Sequence, residues 1–295
     1  MMKLIQLIAL GVSLGGIYGL IALSFVTIFK GTKIFNLGQG GVMLIGVYVT
    51  AMLTGTLGFW AAAAAGVLAG ALLSVILERI IALAPHGNHL VLTVLTLGFE
   101  VILAAELSRL IGTRIINVGD PWGDATVEIF GATVPLARVF ALAVSAALIA
   151  GFFFLFRKTR FGIRMRAAAA NPETAALMGI SQRNVSISSW LIGGSLAVVA
   201  GLFLAMFPNP GLEHTAHLIA FNAIPAVVIG GLDSSEGAVL GGLIVGISQT
   251  LVTGYSSSLS FLGAGIGDVT PYILMIAFLM FRPSGLFGSR ELLRV

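Results

Sequence analysis

The sequence predicts an all-α, polytopic transmembrane bundle, and three observations carry that prediction. Of 295 residues, 58% are hydrophobic and only 9% charged, and the mean hydropathy is +1.05. Soluble domains carry about 25% charged residues, so a globule of this chain would lack the polar surface to cover itself. The apolar residues also fall in runs near the roughly 20 residues that a helix needs to cross hydrocarbon. Finally, the runs lack the two-residue alternation of a barrel, and in lipid only helices and closed barrels satisfy every backbone group. The 38 glycines suit close helix approach in a bilayer. There is no cysteine, which excludes disulfides and thiolate metal sites.

Taken in order, nine apolar segments emerge, at about 4–29, 38–57, 59–83, 90–112, 135–156, 186–207, 216–231, 237–254 and 268–281. Nine spans are preferred within a range of eight to ten. The first is read as a span and not as a cleaved signal, because its run is too long for an h-region. The seventh and ninth are short, and are expected to be tilted, broken or re-entrant. With the N-terminus outside, Lys30, Lys33, Arg79, Arg157, Lys158, Arg160, Arg164, Arg166, Arg183, Arg282, Arg290 and Arg294 fall inside, twelve basic residues in all. Lys3, Arg109, Arg114 and Arg138 fall at the outer edge. Because cytoplasmic loops are enriched in Lys and Arg, the C-terminus is placed in the cytoplasm. Trp60 and Trp122 read as interfacial anchors. The whole chain, 1–295, is read as one membrane domain with an outer loop at 113–134, in which Val127–Val134 suggests a hairpin, and an inner loop at 157–184.

The inner loop carries the densest local signals. Asn171 is a good N-cap and Pro172 suits the first helical position. Glu173 complements the helix dipole, and Gly179 can end the helix in the left-handed conformation. Together they specify one short helix, about Pro172 to Met178. One reading is a surface helix among headgroups, with the basic residues of 157–166 as anchors. The other is a coupling helix, formed by Asn171, Pro172, Glu173, Thr174, Ala175, Ala176, Leu177, Met178 and Gly179, that seats in a groove on a cytosolic motor.

Glu173, Ala175, Ala176 and Gly179 resemble the E-A-A…G loop of ABC importer permeases, although Thr174 intervenes where Glu and Ala usually adjoin. Gly31-Thr32-Lys33-Ile34-Phe35-Asn36-Leu37-Gly38-Gln39-Gly40, with Met43, Gly46 and Tyr48, is similar to the entry motif of the branched-chain amino-acid ABC transporter permease family. Leu37 and Gly38 replace the usual Phe-Ala. The stretch from Gly230 to Gly242 resembles that family's glycine-rich turn, with Asp233 where a Gly is common, and Phe281–Gly288 resembles its R-P-x-G-L-F-G ending. Four motifs in order across nearly the whole chain identify it as a member of that family, most similar to the H-type subunit. The resemblance implies the ABC importer permease fold and a bacterial inner-membrane, multi-pass location. It implies a second permease subunit, identical or homologous, and two cytosolic ATPases that bind ATP and magnesium. It also implies a periplasmic or lipid-anchored solute-binding protein. No cofactor is expected in this chain. Family members carry branched-chain amino acids, urea, short amides and carboxylic acids, so the solute stays open.

Asn36, Gln39 and Gly40 sit where the chain restarts a helix. The side-chain amides of Asn36 and Gln39 either orient a solute along a broken-helix pathway or cap the second helix, with Asn36 as N-cap and the glycines for close packing. Glu100 lies mid-span, where an acidic group costs about 2.5–3.5 kcal/mol on insertion scales. It is expected to face a bundle interior or a watery cavity, as an interhelical hydrogen-bonding group or a substrate contact. Glu106 can pair with Arg109 three residues on. His214 and His217 have metal-compatible spacing, but Glu213 alone is no convincing third ligand. The small-xxx-small runs Gly11/Gly15/Gly19, Gly66/Gly70, Gly237/Gly241 and Gly242/Gly246 predict tight helix contacts, inside the subunit or with a second permease.

No G-x-x-x-x-G-K-[ST] cradle occurs, so ATP hydrolysis, where it drives transport, belongs to a partner. Nucleophile elbows, HExxH and paired catalytic carboxylates do not appear, which leaves an intramembrane enzyme without support, as is nucleic-acid binding. The competing class is a stand-alone ion-coupled transporter or channel. It would need intramembrane coupling groups such as Glu100, and would have no use for the helix at 172–178.

Overall fold

The computed structural model describes residues 2–84, 88–123, 125–129, 132–206, 211–259, 263 and 265–288, without the side chains of 129, 132 and 214–216. In chain order the helices are α1 (Met2–Thr32), α2 (Gln39–Leu57), α3 (Phe59–Ala82), α4 (His89–Ile111), α5 (Leu136–Lys158), α6 (Arg160–Ala170), α7 (Pro172–Leu177), α8 (Gln182–Leu204), α9 (Ile224–Gly230), α10 (Ser235–Gly254) and α11 (Ile266–Phe281). A hairpin of β1 (Thr126–Ile129) and β2 (Ala132–Pro135) precedes α5, and a 3-10 helix, His214–Ala223, precedes α9. Among the described residues seven helices are long and apolar enough to cross a membrane: α1, α2, α3, α4, α5, α8 and α10. They coincide with seven of the nine predicted segments.

The other two segments are shorter than a span. The seventh is not a continuous α-helix but the 3-10 helix followed by seven residues of α9. Pro225 stands near the start of α9, where its missing N–H leaves no bond unmade. The ninth, α11, has 16 residues, about 24 Å at 1.5 Å per residue against a hydrocarbon core of about 30 Å. In the outer loop the strands pair antiparallel with Val127 opposite Val134 and Glu128 opposite Thr133; the turn between them, 130–131, lies outside the described residues. The inner loop holds two helices where one was predicted. Thr159 caps α6 by accepting from the Gly162 amide at 3.3 Å. Its Arg-Met-Arg-Ala-Ala-Ala-Ala run consists of strong helix formers, a signal masked by reading the arginines as anchors.

The chain clusters into two units, each assembled from separated segments. The first comprises Met1–Val26, Trp122–Ala146 and Phe221–Val295. Within it the glycine runs of α1 and α10 interlock: a Cβ on Gly11 would stand 2.8 Å from Ile247 Cα, and one on Gly15 at 2.8 Å from Leu243 Cα. Gly242 and Gly246 face the backbone of Gly19 and Gly15 with no room for a side chain. α9 packs on α10 the same way, Gly230 against Gly237 and Ala226 against Gly241. These small-residue stripes therefore serve packing inside the subunit.

In the same unit two of the sequence motifs meet. The Leu286 amide donates to the Ile229 carbonyl at 2.8 Å and the Phe287 amide to Gly230 at 3.1 Å. Gly231 (φ 106°) and Gly285 (φ 77°) adopt conformations that L side chains avoid, and a Cβ on Gly285 would lie 2.7 Å from Gly231 N. The glycine-rich turn and the closing motif are thus one structural device. Arg138, predicted at the outer edge, is buried, and its carbonyl accepts from Ser13 Oγ at 2.9 Å.

The second unit comprises Thr27–Pro121 and Ala147–Ala220. Its centre is the packing of α2, α3 and α8 on one another. Gly66 meets the Gly46 carbonyl and Thr50, Gly70 meets Val198, and a Cβ on Gly194 would stand 2.7 Å from Ser74 Cβ. Ile28, Ile34, Val42, Leu77, Ile81 and Trp190 form a buried cluster, flanked by Leu73, Leu92, Phe99 and Leu103. The basic residues near its helix ends lie over aromatic rings: Lys30 over Phe156, 5.1 Å from the ring centre, and Arg157 over Phe153 at 5.7 Å.

Candidate functional site: the broken helix and the inner loop

Between α1 and α2 the chain runs without helix from Lys33 to Gly38, beside the apolar spans. Irregular backbone at membrane depth is tolerated only where protein or a cavity satisfies its polar groups. Here α4 supplies the partners. The Phe35 amide donates to Thr93 Oγ1 at 3.3 Å and the Leu37 amide to Thr96 Oγ1 at 2.8 Å. Asn36 Oδ1 accepts from the Gly38 amide at 3.1 Å.

The restart of α2 then needs acceptors for its first amides, which have no partner inside a helix. Gly38, not Asn36, is the N-cap residue, and it has no side chain to offer. The acceptor comes from another helix: Glu100 Oε2 takes the Gly41 amide at 2.8 Å. A carboxyl group there also meets the positive end of the α2 dipole. Glu100 can approach because the facing positions are glycine. A Cβ on Gly40 would lie 2.8 Å from Glu100 Oε1 and 2.6 Å from the His217 carbonyl, and one on Gly41 2.7 Å from Leu103 Cβ.

The four predicted pathway residues, Asn36, Gln39, Gly40 and Glu100, therefore meet in one buried polar cluster. Asn36 Nδ2 donates to Gln39 Oε1 at 2.7 Å, and Gln39 Nε2 donates to the Gly193 carbonyl of α8 at 3.0 Å. Glu100 is 4% exposed, and its Oε1 accepts no hydrogen bond among the described residues. Sequence reading missed the hydroxyls of Thr93 and Thr96, which carry as much of the break as Asn36 does. It also missed a polar network in the first unit, in which Tyr18 donates to Gln249 at 2.8 Å and Tyr272 to Asn222 at 3.2 Å.

The inner loop brings the predicted coupling residues into one compact turn of helix. Asn171 Oδ1 accepts from the Thr174 amide at 3.0 Å, Pro172 opens α7, and Glu173 lies in its first turn. At the other end the Ile180 amide donates to Ala175 at 3.0 Å and the Gly179 amide to Ala176 at 2.9 Å. Gly179 has φ 78°; the pair of bonds is a Schellman cap, which requires that left-handed residue. Ala175 is buried beneath, while Leu177 and Met178 are 88% and 79% exposed. Glu106 and Arg109 pair as expected, Arg109 Nε donating to Glu106 Oε2 at 2.9 Å. The side chain of His214 lies outside the described residues; among those described, no cluster of three His, Asp or Glu side chains could hold a metal ion.

Span-length apolar helices, a break lined by buried side-chain amides and one carboxyl, and short capped helices in a basic loop are the marks of a polytopic helical membrane protein. The family model described as "Branched-chain amino acid transport system / permease component" matches residues 7–281. The chain belongs to that family, and it is an ABC transporter permease subunit. It is 27% identical to the "High-affinity branched-chain amino acid transport system permease protein LivH" of Salmonella typhimurium, over 97% of this chain and 96% of the relative. The protein of the same name in Escherichia coli (strain K12) is 28% identical over the same shares. The "Probable branched-chain amino acid transport permease protein LivH" of Methanocaldococcus jannaschii is 31% identical, over 91% of this chain and 88% of the relative. The resemblance read from the four motifs, to the H-type subunit in particular, stands with these findings.

Proposed function

We propose that this chain is the permease subunit of an ATP-driven importer in a bacterial inner membrane, and that it carries a small amphipathic solute, the branched-chain and hydrophobic amino acids foremost. The observation that carries the reading is α7. A six-residue helix is far below the roughly 12–15 residues at which isolated helices become stable in water. Both its ends are nevertheless capped, and its last turn presents two apolar side chains outward. A stand-alone transporter has no need of such a projection, whereas a subunit driven from the cytosol does. The names of the relatives support the solute class.

In this reading Asn171 to Gly179 seat in one of two partner ATPases, which hold ATP and magnesium and perform hydrolysis; this subunit performs none. A second permease completes the pathway, and a periplasmic or lipid-anchored protein delivers solute. Asn36, Gln39, Gly40 and Glu100 border that pathway, and Glu100 Oε1 accepts no hydrogen bond among the described residues.

Two linked measurements test this. Purification from native membranes in mild detergent, with mass spectrometry of what accompanies the chain, should recover P-loop ATPases and a second permease. The Gly179→Arg variant puts a bulky residue at φ 78°, a conformation that costs a non-glycine residue roughly 1–2 kcal/mol. It should stay membrane-inserted but lose both ATPase association and uptake. Uptake by the chain alone in liposomes under an ion gradient would instead favour the ion-coupled reading, with Glu100 as its coupling group.

A further inference from the structure

The turn that ends α7 also forms one wall of a pocket. A cavity of about 220 Å³ opens between α6, the turn after α7 and the first turns of α8. Phe161, Ile180 and Val185 give it apolar walls, and Arg164, Ser181 and Asn184 give it polar ones. These three polar residues are exposed, so their donors are open to whatever enters. They are also uncommitted. Arg157 and Arg166 are held against Phe153 and Phe156, but Arg164 makes no ion pair, hydrogen bond or ring contact among the described residues. Asn184 bonds through its backbone, its amide donating to Ser181 Oγ at 3.3 Å and its carbonyl accepting from Ser188 Oγ at 2.7 Å. The side-chain amide of Asn184 is therefore spare, and Ser181 keeps its own O–H to donate. Among the described residues no acidic side chain lines the pocket. A guanidinium, a hydroxyl and an amide around one small space call for an anionic acceptor.

Size and position say which one. Small-molecule sites run from roughly 300 to 1,000 Å³, so this pocket has room for a single side chain. Gly179 and Ile180, whose amides close α7, also line it, and Leu177 and Met178 stand exposed immediately before them. We infer that the pocket is a socket for an acidic side chain, Asp or Glu, of the partner ATPase. Its carboxylate pairs with the Arg164 guanidinium and accepts from the Ser181 hydroxyl and the Asn184 amide. Its methylene stem lies on Phe161, Ile180 and Val185, while Leu177 and Met178 make the apolar contact alongside. Apolar contact is non-directional, so those two side chains alone leave α7 free to turn in its groove. A charge pair fixes register, and with it the direction in which a motion of the ATPase is passed to α8. The socket rests on the importer reading of α7, and adds to it the sign of the charge that the ATPase must present.

The test measures the ATPase retained per permease as the purified complex is diluted in detergent. Arg164→Glu should weaken the association roughly tenfold or more, and Arg164→Lys, which keeps the charge, should lose less. Arg183→Glu makes the same charge change at the start of α8, but Arg183 lines a different cavity, beside the buried Glu78 and Trp190. It should leave association unaltered. Equal weakening by the two charge reversals would report a general loss of positive charge and overturn the socket. Arg164→Lys also identifies the occupant, because a carbodiimide joins a lysine amine to a carboxylate as an amide. A cross-linked peptide that joins position 164 to an Asp or Glu of the ATPase is expected, absent from the unmodified complex. Arginine placed at that acid should then restore binding to Arg164→Glu. Unaltered association in Arg164→Glu, with loss of co-purifying anionic phospholipid, would give the pocket to a lipid headgroup and overturn the socket. An unmodified complex that holds no ATPase overturns the importer reading and the socket together, whereas ATPase binding that ignores Arg164 overturns the socket alone.

Discussion

At the scale of single residues, Glu100 shows how an expensive group is held in a membrane helix. Its cost mid-span is offset because it serves a need that nothing local can meet: the Gly41 amide at the start of α2 has no intrahelical acceptor, and the cap residue is glycine. Replacement by leucine, of similar size, removes the acceptor and leaves that buried amide unmade. We expect Glu100→Leu to cost about 1–3 kcal/mol, read as a lower melting temperature in detergent, whereas Glu100→Gln keeps an amide oxygen for Gly41 and loses less. Glu106→Gln touches only an exposed pair with Arg109, and should leave both melting temperature and uptake unaltered. Equal effects at the two positions would remove the capping role from Glu100. The sequence showed that Glu100 must face inward, because burial follows from charge in an apolar run. It could not show the partner, which lies 59 residues away, since local spacing holds no record of which helix faces which. Arg138 and Glu78 escaped for a related reason: each sits near a predicted span end, where a charge calls for no special explanation, yet each is buried.

At the scale of elements, small residues decide where helices touch. Gly246 lies against the backbone of Gly15, and Gly242 against that of Gly19. Backbone cannot swing aside as a side chain does, so even a methyl group there must push α1 and α10 apart. Gly246→Ala should therefore destabilise by about 1–3 kcal/mol, as overpacking does. Gly98, in the middle of α4, has no described residue beyond its own stretch of helix within 4 Å of where its Cβ would be. Gly98→Ala should stabilise by roughly 0.5–1 kcal/mol, by removing the entropy cost of a helical glycine. Thermal unfolding of the two variants side by side checks both signs, and destabilisation by Gly98→Ala would show an unseen partner on that face. Element existence was readable wherever one physical cause acted locally. Apolar length marked the seven long helices, and cap chemistry at Asn171, Pro172 and Gly179 marked α7 to within a residue. The seventh segment, expected to be tilted, broken or re-entrant, is broken into a 3-10 turn and a short α-helix; hydropathy could not choose among the three, because it measures burial and not helix type.

At the scale of the whole molecule, the remaining question is which side of the membrane each loop faces. The positive-inside rule works because translocating Lys and Arg is disfavoured, and it is counted over short loops near span ends. Here the densest group is the stretch that contains α6, where five of the twelve, Arg157, Lys158, Arg160, Arg164 and Arg166, fall within a few residues of one another. Several of these are held in place, Arg157 over Phe153 and Arg166 over Phe156, with Arg166 also donating to the Phe156 carbonyl. They are therefore part of the folded end of α5 as well as a topological signal. The chain contains no cysteine, so single cysteines can be introduced without background. A membrane-impermeant maleimide added to intact spheroplasts should label Thr133→Cys, in the hairpin. It should reach Lys158→Cys only after permeabilisation. The reverse pattern would invert the chain, place α7 outside, and withdraw it from any cytosolic motor. Labelling of both sites from one side would mean that an odd number of crossings does not separate them, contrary to α5 as a full span. The orientation and the coupling helix therefore stand or fall on this result together, whereas the Glu100 cap and the glycine packing are independent of it.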